Sequence, residues 1–85
     1  MRSLKEQSMD KTVKVFSKNK FQEIRVVIRE FKGNDLIDIR TWTMMQGSNE
    51  MVPTAKGVSL NISLLPQLKE AVAEVEKILK ENGMI

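Results

Sequence analysis

The chain predicts an α+β domain: an antiparallel sheet of about four strands followed by one C-terminal helix. Three observations carry this expectation. Residues 23–31 and 36–43 alternate apolar and polar side chains around Lys32-Gly33-Asn34-Asp35, a turn signal. Residues 13–17 and 56–60 add two shorter extended runs. The last third of the chain instead repeats leucine and valine every three or four residues, the spacing of an amphipathic helix.

Residues 1–12 have no clean period and read as a flexible basic arm, which leaves 13–85 as the domain. The run from Val13 to Ser17 is β-branched and aromatic, with Lys18-Asn19-Lys20 as its turn. In the next strand Ile24, Val26 and Ile28 take one face, and Arg25, Val27, Arg29 and Phe31 take the other. With Gly33-Asn34 as a two-residue loop, Phe31 would face Leu36, Arg29 would face Asp38 as a cross-strand ion pair, Val27 would face Arg40, and Arg25 would face Trp42. Isoleucines then collect on one face of the hairpin, and arginines and large aromatics on the other.

Residues 44–55 contain Gly47, Ser48, Asn49 and Pro53 and read as a long connection before the strand at 56–60. In the final segment Leu65, Leu68, Val72, Val75 and Leu79 form the stripe, widened by Leu64, Ala71 and Ile78. Either Ser63 or Asn61 serves as N-cap, Pro66 falls near the first turn, and Asn82-Gly83 stops the helix.

A chain of 85 residues is one domain with a marginal core. It has no cysteine for a disulfide and no histidine, and no spaced carboxylate cluster suggests a metal cage. No cofactor is therefore expected, and oligomerisation is the remaining way to add buried area. No segment approaches the roughly 20 apolar residues of a membrane span. MRSLKEQSMDKTVK lacks the apolar run of a secretory signal, so an intracellular chain is expected. Net charge is +3, concentrated in residues 1–20, where six basic side chains outnumber two acidic ones. That asymmetry suits a polyanionic partner and equally suits a solvated terminus.

If the helix covers the isoleucine face, the opposite face stays open. It presents Arg25, Arg29, Phe31, Arg40 and Trp42, with Lys32 at the turn and Lys56 at the start of the last strand. Cations answer phosphates and flat π-faces answer unstacked bases, so interleaving the two favours single strands over duplex. Trp42 has a second reading, as a core side chain. No nucleophile paired with a base, no Gly-rich phosphate loop and no acid pair marks a catalytic site, so no enzyme is expected.

REFKGNDLIDIR at 29–40, EMVPTAKGVSLN at 50–61 and QLKE at 67–70 resemble the transcriptional positive cofactor four family, in that order and spacing. The resemblance spans about residues 21–80. It implies a curved four-stranded antiparallel sheet and a helix, paired into a homodimer through helix residues such as Leu68, Val72, Val75 and Leu79. It also implies paired channels for single-stranded DNA, as in melted duplex. Base stacking would then fall to Phe31, and backbone contacts to Lys32, Arg40 and Lys56. The sequence departs from the family's eukaryotic pattern at Asn34 and Ala55, where basic residues are usual. It departs again at Thr41-Trp42-Thr43, which replaces glutamate, tyrosine and tryptophan. Trp42 thus stands in the tyrosine column, and its stacking role comes from strand parity. Fewer cations imply weaker binding and a shallower salt dependence.

The serine-rich and acidic regulatory region of the eukaryotic coactivator has no counterpart here, which points to a bacterial or phage-type member. The expected function is sequence-tolerant binding of single-stranded DNA, as a transcription cofactor or in replication, repair or recombination, alongside the proteins of those processes. A cytoplasmic, nucleoid-associated location is expected for a prokaryotic protein and a nuclear one for a eukaryotic protein. Two alternatives remain: RNA on the same face, or a protein-interaction module for an acidic partner.

Overall fold

The computed structural model describes residues 10–85. Strands β1 (Lys11–Ser17), β2 (Gln22–Phe31), β3 (Asn34–Met44) and β4 (Met51–Asn61) form one antiparallel sheet in chain order. A 3-10 turn (Ile62–Leu64) leads into the helix α1 (Leu65–Glu81). β1 begins at Lys11, so the expected arm loses Lys11 and Thr12 to the sheet. The arm's residues 1–9 lie outside the described residues.

The central hairpin corrects the expected register. Its loop is Lys32-Gly33, not Gly33-Asn34, and the pairs are Phe31↔Asn34, Arg29↔Leu36, Val27↔Asp38, Arg25↔Arg40 and Glu23↔Trp42. Lys32 and Gly33 have φ of 52° and 82°, the two positive values that a type I′ turn requires. Glycine second is the order this turn favours, and the Glu30 carboxylate supports it by accepting from the Gly33 N–H at 3.1 Å. Each strand's partner is displaced by two residues from the expected one. A two-residue displacement preserves side-chain parity, so the faces stay as the alternation predicts.

The expected long connection at 44–55 is also corrected. β3 runs on to Met44 and β4 starts at Met51, leaving residues 45–50 as the loop. The loop is closed by Met45 N–H donating to the Glu50 carbonyl at 2.7 Å. Pro53 reads as a breaker in sequence, but β4 is an edge strand, where a missing N–H is tolerated. Between Arg40 and Trp42 the β3–β4 register shifts, leaving Thr54, Ala55 and Lys56 as a bulge. The Thr54 hydroxyl anchors this bulge by donating to the Thr41 carbonyl at 2.8 Å.

Neither expected residue caps α1, whose N-cap is Leu64 without a side-chain hydrogen bond; Asn61 instead caps the 3-10 turn, its side chain accepting from the Ser63 N–H at 2.9 Å. Pro66 falls in the first turn of α1, where its missing N–H costs nothing. At the other end Gly83 has φ 67°, its N–H donates to the Lys80 carbonyl, and Met84 N–H donates to the Leu79 carbonyl. This is a Schellman stop.

Ile24, Val26, Ile28, Ile37, Ile39 and Leu60 share one face of the sheet by register. The helix does not seal this face as the sequence suggested. No helix residue is buried, and only Leu68 and Leu79 are even partly covered. Val72 and Val75 are 61% and 55% exposed. On the apolar face only Ile37 and Thr41 are buried. The result is a flat molecule, 44 × 43 × 18 Å. Its radius of gyration is 15.5 Å, against about 12 Å for a compact chain of this length.

Gly57 lies opposite Arg40. A Cβ there would meet the Ile39 carbonyl oxygen at 2.6 Å and Arg40 Cα at 2.8 Å. Both are backbone atoms of the central strand and have little room to yield. Gly57→Ala is expected to destabilise the domain by about 1–3 kcal/mol through overpacking. Denaturant unfolding followed by the fluorescence of the single tryptophan measures it.

Candidate nucleic-acid interface

The second face of the sheet begins with an electrostatic problem. Arg25 and Arg40 are directly opposed across β2 and β3, and like charges in that position repel. Each strand answers with a carboxylate two residues earlier, which alternation places on the same face. Glu23 Oε2 accepts from Arg25 Nε at 2.5 Å. Asp38 accepts from Arg40 Nε at 3.1 Å and from Nη2 at 2.9 Å.

The Asp38–Arg40 pair is built into the sheet more deeply than the other. Asp38 is only 3% exposed, and Ser59 on β4 donates its hydroxyl to Asp38 Oδ1 at 2.5 Å. Arg40 Nη1 reaches across to the Thr54 carbonyl in the bulge at 3.0 Å. Burial by itself would raise the Asp38 pKa. The hydrogen bonds from Arg40 and Ser59 and the charges of Arg40 and Arg29 outweigh burial and hold the carboxyl below its ordinary value. The hydrogen bond to Asp38 raises Arg40 in turn. The expected Arg29–Asp38 cross-strand pair is therefore replaced by Asp38–Arg40 along β3. Arg29 faces Leu36 and is exposed.

Arg25 completes the arrangement by placing its guanidinium 4.0 Å from the centre of the Trp42 ring, a cation–π contact. Trp42 lies on the open face, partly covered, and its buried indole Nε1 has no hydrogen-bond partner among the described residues. Arg25, Arg29, Arg40 and Trp42 line one groove of about 490 Å³, together with Val27, Asp38, Pro53 and Thr54. Phe31 is 52% exposed and lines an adjoining hollow with Arg29, Leu36 and Ser59. Lys32 Nζ stands 5.3 Å from the Phe31 ring centre. Lys56 is exposed in the β4 bulge, outside the groove lining.

Sequence reasoning thus gathered the groove's cations and aromatics but missed what holds them. Asp38 and Arg40 are two apart on one strand, a spacing that signals a shared face. Thr54 carried no signal, because it lay in the presumed connection. Ser59 becomes a partner of Asp38 only through the β3–β4 register. Chemically the face offers cationic donors and π-surfaces, and among the described residues no cluster of carboxylates suited to a metal ion.

These features define a class: a small β-meander with a cationic, aromatic groove on one face, followed by a C-terminal helix whose apolar stripe is uncovered. Residues 18–71 match the family model described as Transcriptional Coactivator p15 (PC4), and the chain belongs to that family. It is 35% identical over 59 residues to the RNA polymerase II transcriptional coactivator SUB1 of Saccharomyces cerevisiae, covering 69% of this chain and 20% of that protein. It is 32% identical over 50 residues to a putative RNA polymerase II transcriptional coactivator of Caenorhabditis elegans, covering 59% of this chain and 40% of that one. The chain thus spans well under half of both relatives. A crystal structure of a PC4 homologue from Burkholderia pseudomallei superposes with a TM-score of 0.70 at 27% identity, covering 78% of this chain and 88% of that one. The bacteriophage T5 homologue of the eukaryotic coactivator PC4, implicated in recombination-dependent DNA replication, shares the fold with a TM-score of 0.63 at 24% identity, covering 88% and 82% of the two chains.

Asp38→Asn tests the network. A carboxyl held below its unfolded value of about 3.9 contributes stability above that pH and loses it as the pH falls through the folded value. The variant is expected to be about 1–3 kcal/mol less stable at pH 7, with the gap from the unmodified chain narrowing in acid. Urea midpoints at neutral and acid pH measure both effects.

Proposed function

We propose that this domain binds single-stranded DNA without strong sequence preference, along the arginine-lined groove of its open face, and that it does so as a homodimer without catalysis. The observation that carries the reading is the groove itself. Arg40 is locked by Asp38 and Thr54, Arg25 lies over Trp42, and Phe31 stands exposed alongside. Fixed cations suit a phosphate backbone, and aromatic faces suit unstacked bases of any sequence. The names of the relatives, as transcriptional coactivators and as a phage protein implicated in replication, support a role beside transcription or replication proteins.

The dimer reading rests on surface that one chain leaves uncovered. Val72, Val75 and Ile78 are exposed at helical spacing, at 61%, 55% and 48%. A contiguous apolar face of this kind is a marker of association. Leu68 and Leu79 extend the same stripe, and a second copy of the chain is the simplest cover.

Labelled oligo-dT at low salt tests the ligand. Phe31→Ala should weaken binding by roughly 5- to 150-fold, the worth of one stacked base, while leaving the unfolding midpoint within experimental error. Failure of the unmodified chain to bind oligo-dT would overturn the reading, and equally tight binding of matched RNA would move it to single strands in general. For the dimer, Val75→Asp should convert the protein to monomer by sedimentation equilibrium. An unmodified protein that is monomeric at all concentrations would contradict that part.

A further inference from the structure

The open face does not end at Trp42. Met44 follows Trp42 by two residues and takes the same face, and its N–H donates to the Phe21 carbonyl at 3.1 Å, extending the β2–β3 ladder by one pair. Phe21 is 59% exposed. Its backbone is nonetheless fixed, because its N–H also donates to the Asn19 side chain at 3.0 Å within the β1–β2 turn. Together with Met44 and Met45 it lines a hollow of about 480 Å³. Lys20 Nζ lies 5.7 Å from its ring centre, and Lys18 is in the same turn.

This repeats the arrangement at the other end of β2. There Phe31 is 52% exposed, with Lys32 Nζ 5.3 Å from its ring. An exposed phenylalanine flanked by a lysine therefore bounds each end of the strand, with the arginine groove between them. Resting on the reading above, we infer that Phe21 is a second base-stacking platform, at the far end of the bound strand. Lys18 and Lys20 meet the phosphates there, and the methionine side chains wall the base with soft apolar surface. Ten residue-to-residue steps run from Phe21 to Phe31, which puts the two rings at most about 33 Å apart along the strand. Even at the stacked spacing of about 3.4 Å per nucleotide that is no more than about ten nucleotides. A short oligomer can fill the groove without reaching Phe21, and a long one spans both rings.

Oligo-dT of about 4 and about 16 nucleotides, the extremes of known single-strand site sizes, separates the possibilities. Phe21→Ala should weaken the long oligomer at least about fivefold and leave the short one within about twofold, whereas Phe31→Ala weakens both. Phe21→Leu keeps apolar volume and loses the π-face, so it should behave as Phe21→Ala and stands in for it if the alanine variant unfolds. If both Phe21 variants bind the long oligomer as the unmodified chain does, while Phe31→Ala is impaired, this inference is wrong and the groove reading survives. Equal weakening at both lengths would also overturn it, because Phe21 would then be acting through the fold. Loss of binding by the unmodified chain would sink the groove reading itself.

Discussion

Everything on the working face depends on how the sheet tolerates Arg25 directly opposite Arg40. Two guanidinium groups at adjacent strand positions repel, and the repulsion is answered locally, by Glu23 on one strand and Asp38 on the other. The answers are unequal. Asp38 is buried and receives Ser59, and Arg40 also reaches the Thr54 carbonyl, so the charge on β3 is clamped from three directions. Arg25 sits instead over Trp42. Arg40 is therefore held by hydrogen bonds to Asp38 and Thr54, whereas Arg25 is stacked on Trp42. The β4 bulge follows from the same constraint. It turns the Thr54 carbonyl toward Arg40, and Gly57 lets β4 approach the central strand without a clash.

The alternation of Ile24, Val26 and Ile28 with Arg25, Val27 and Arg29 made the two faces legible, because parity survives a displacement of two residues. The register itself was not legible. Lys32-Gly33 and Gly33-Asn34 are both plausible two-residue loops, and both give the same faces. Choosing between them depends on the positive φ of Lys32 and the Glu30 contact beneath the turn. β4 was half hidden, because Pro53 and the residues around it carry loop composition while occupying an edge strand. Groove members such as Arg40 and Trp42 could be found from strand parity. Their supports, Ser59 and Thr54, come from a strand whose pairing no local pattern specifies.

The helix teaches a different lesson. Its stripe was read correctly as apolar and incorrectly as a lid on its own sheet. Hydrophobic periodicity says which side of a helix seeks cover, and it does not say which molecule supplies it. With Val72 and Val75 open and the chain spread over 44 × 43 Å, apolar surface on both sheet and helix is left uncovered by the chain's own fold.

The most direct test of this account is the salt dependence of poly-dT binding by the intact protein at known oligomeric state. If Arg25, Arg29, Arg40, Lys32 and Lys56 meet phosphates, log K should fall linearly with log salt, with a slope of roughly −2 to −3.5 per chain, since each neutralised single-strand phosphate contributes about −0.7. Binding that is absent at low salt, or indifferent to salt across the titration, would contradict it.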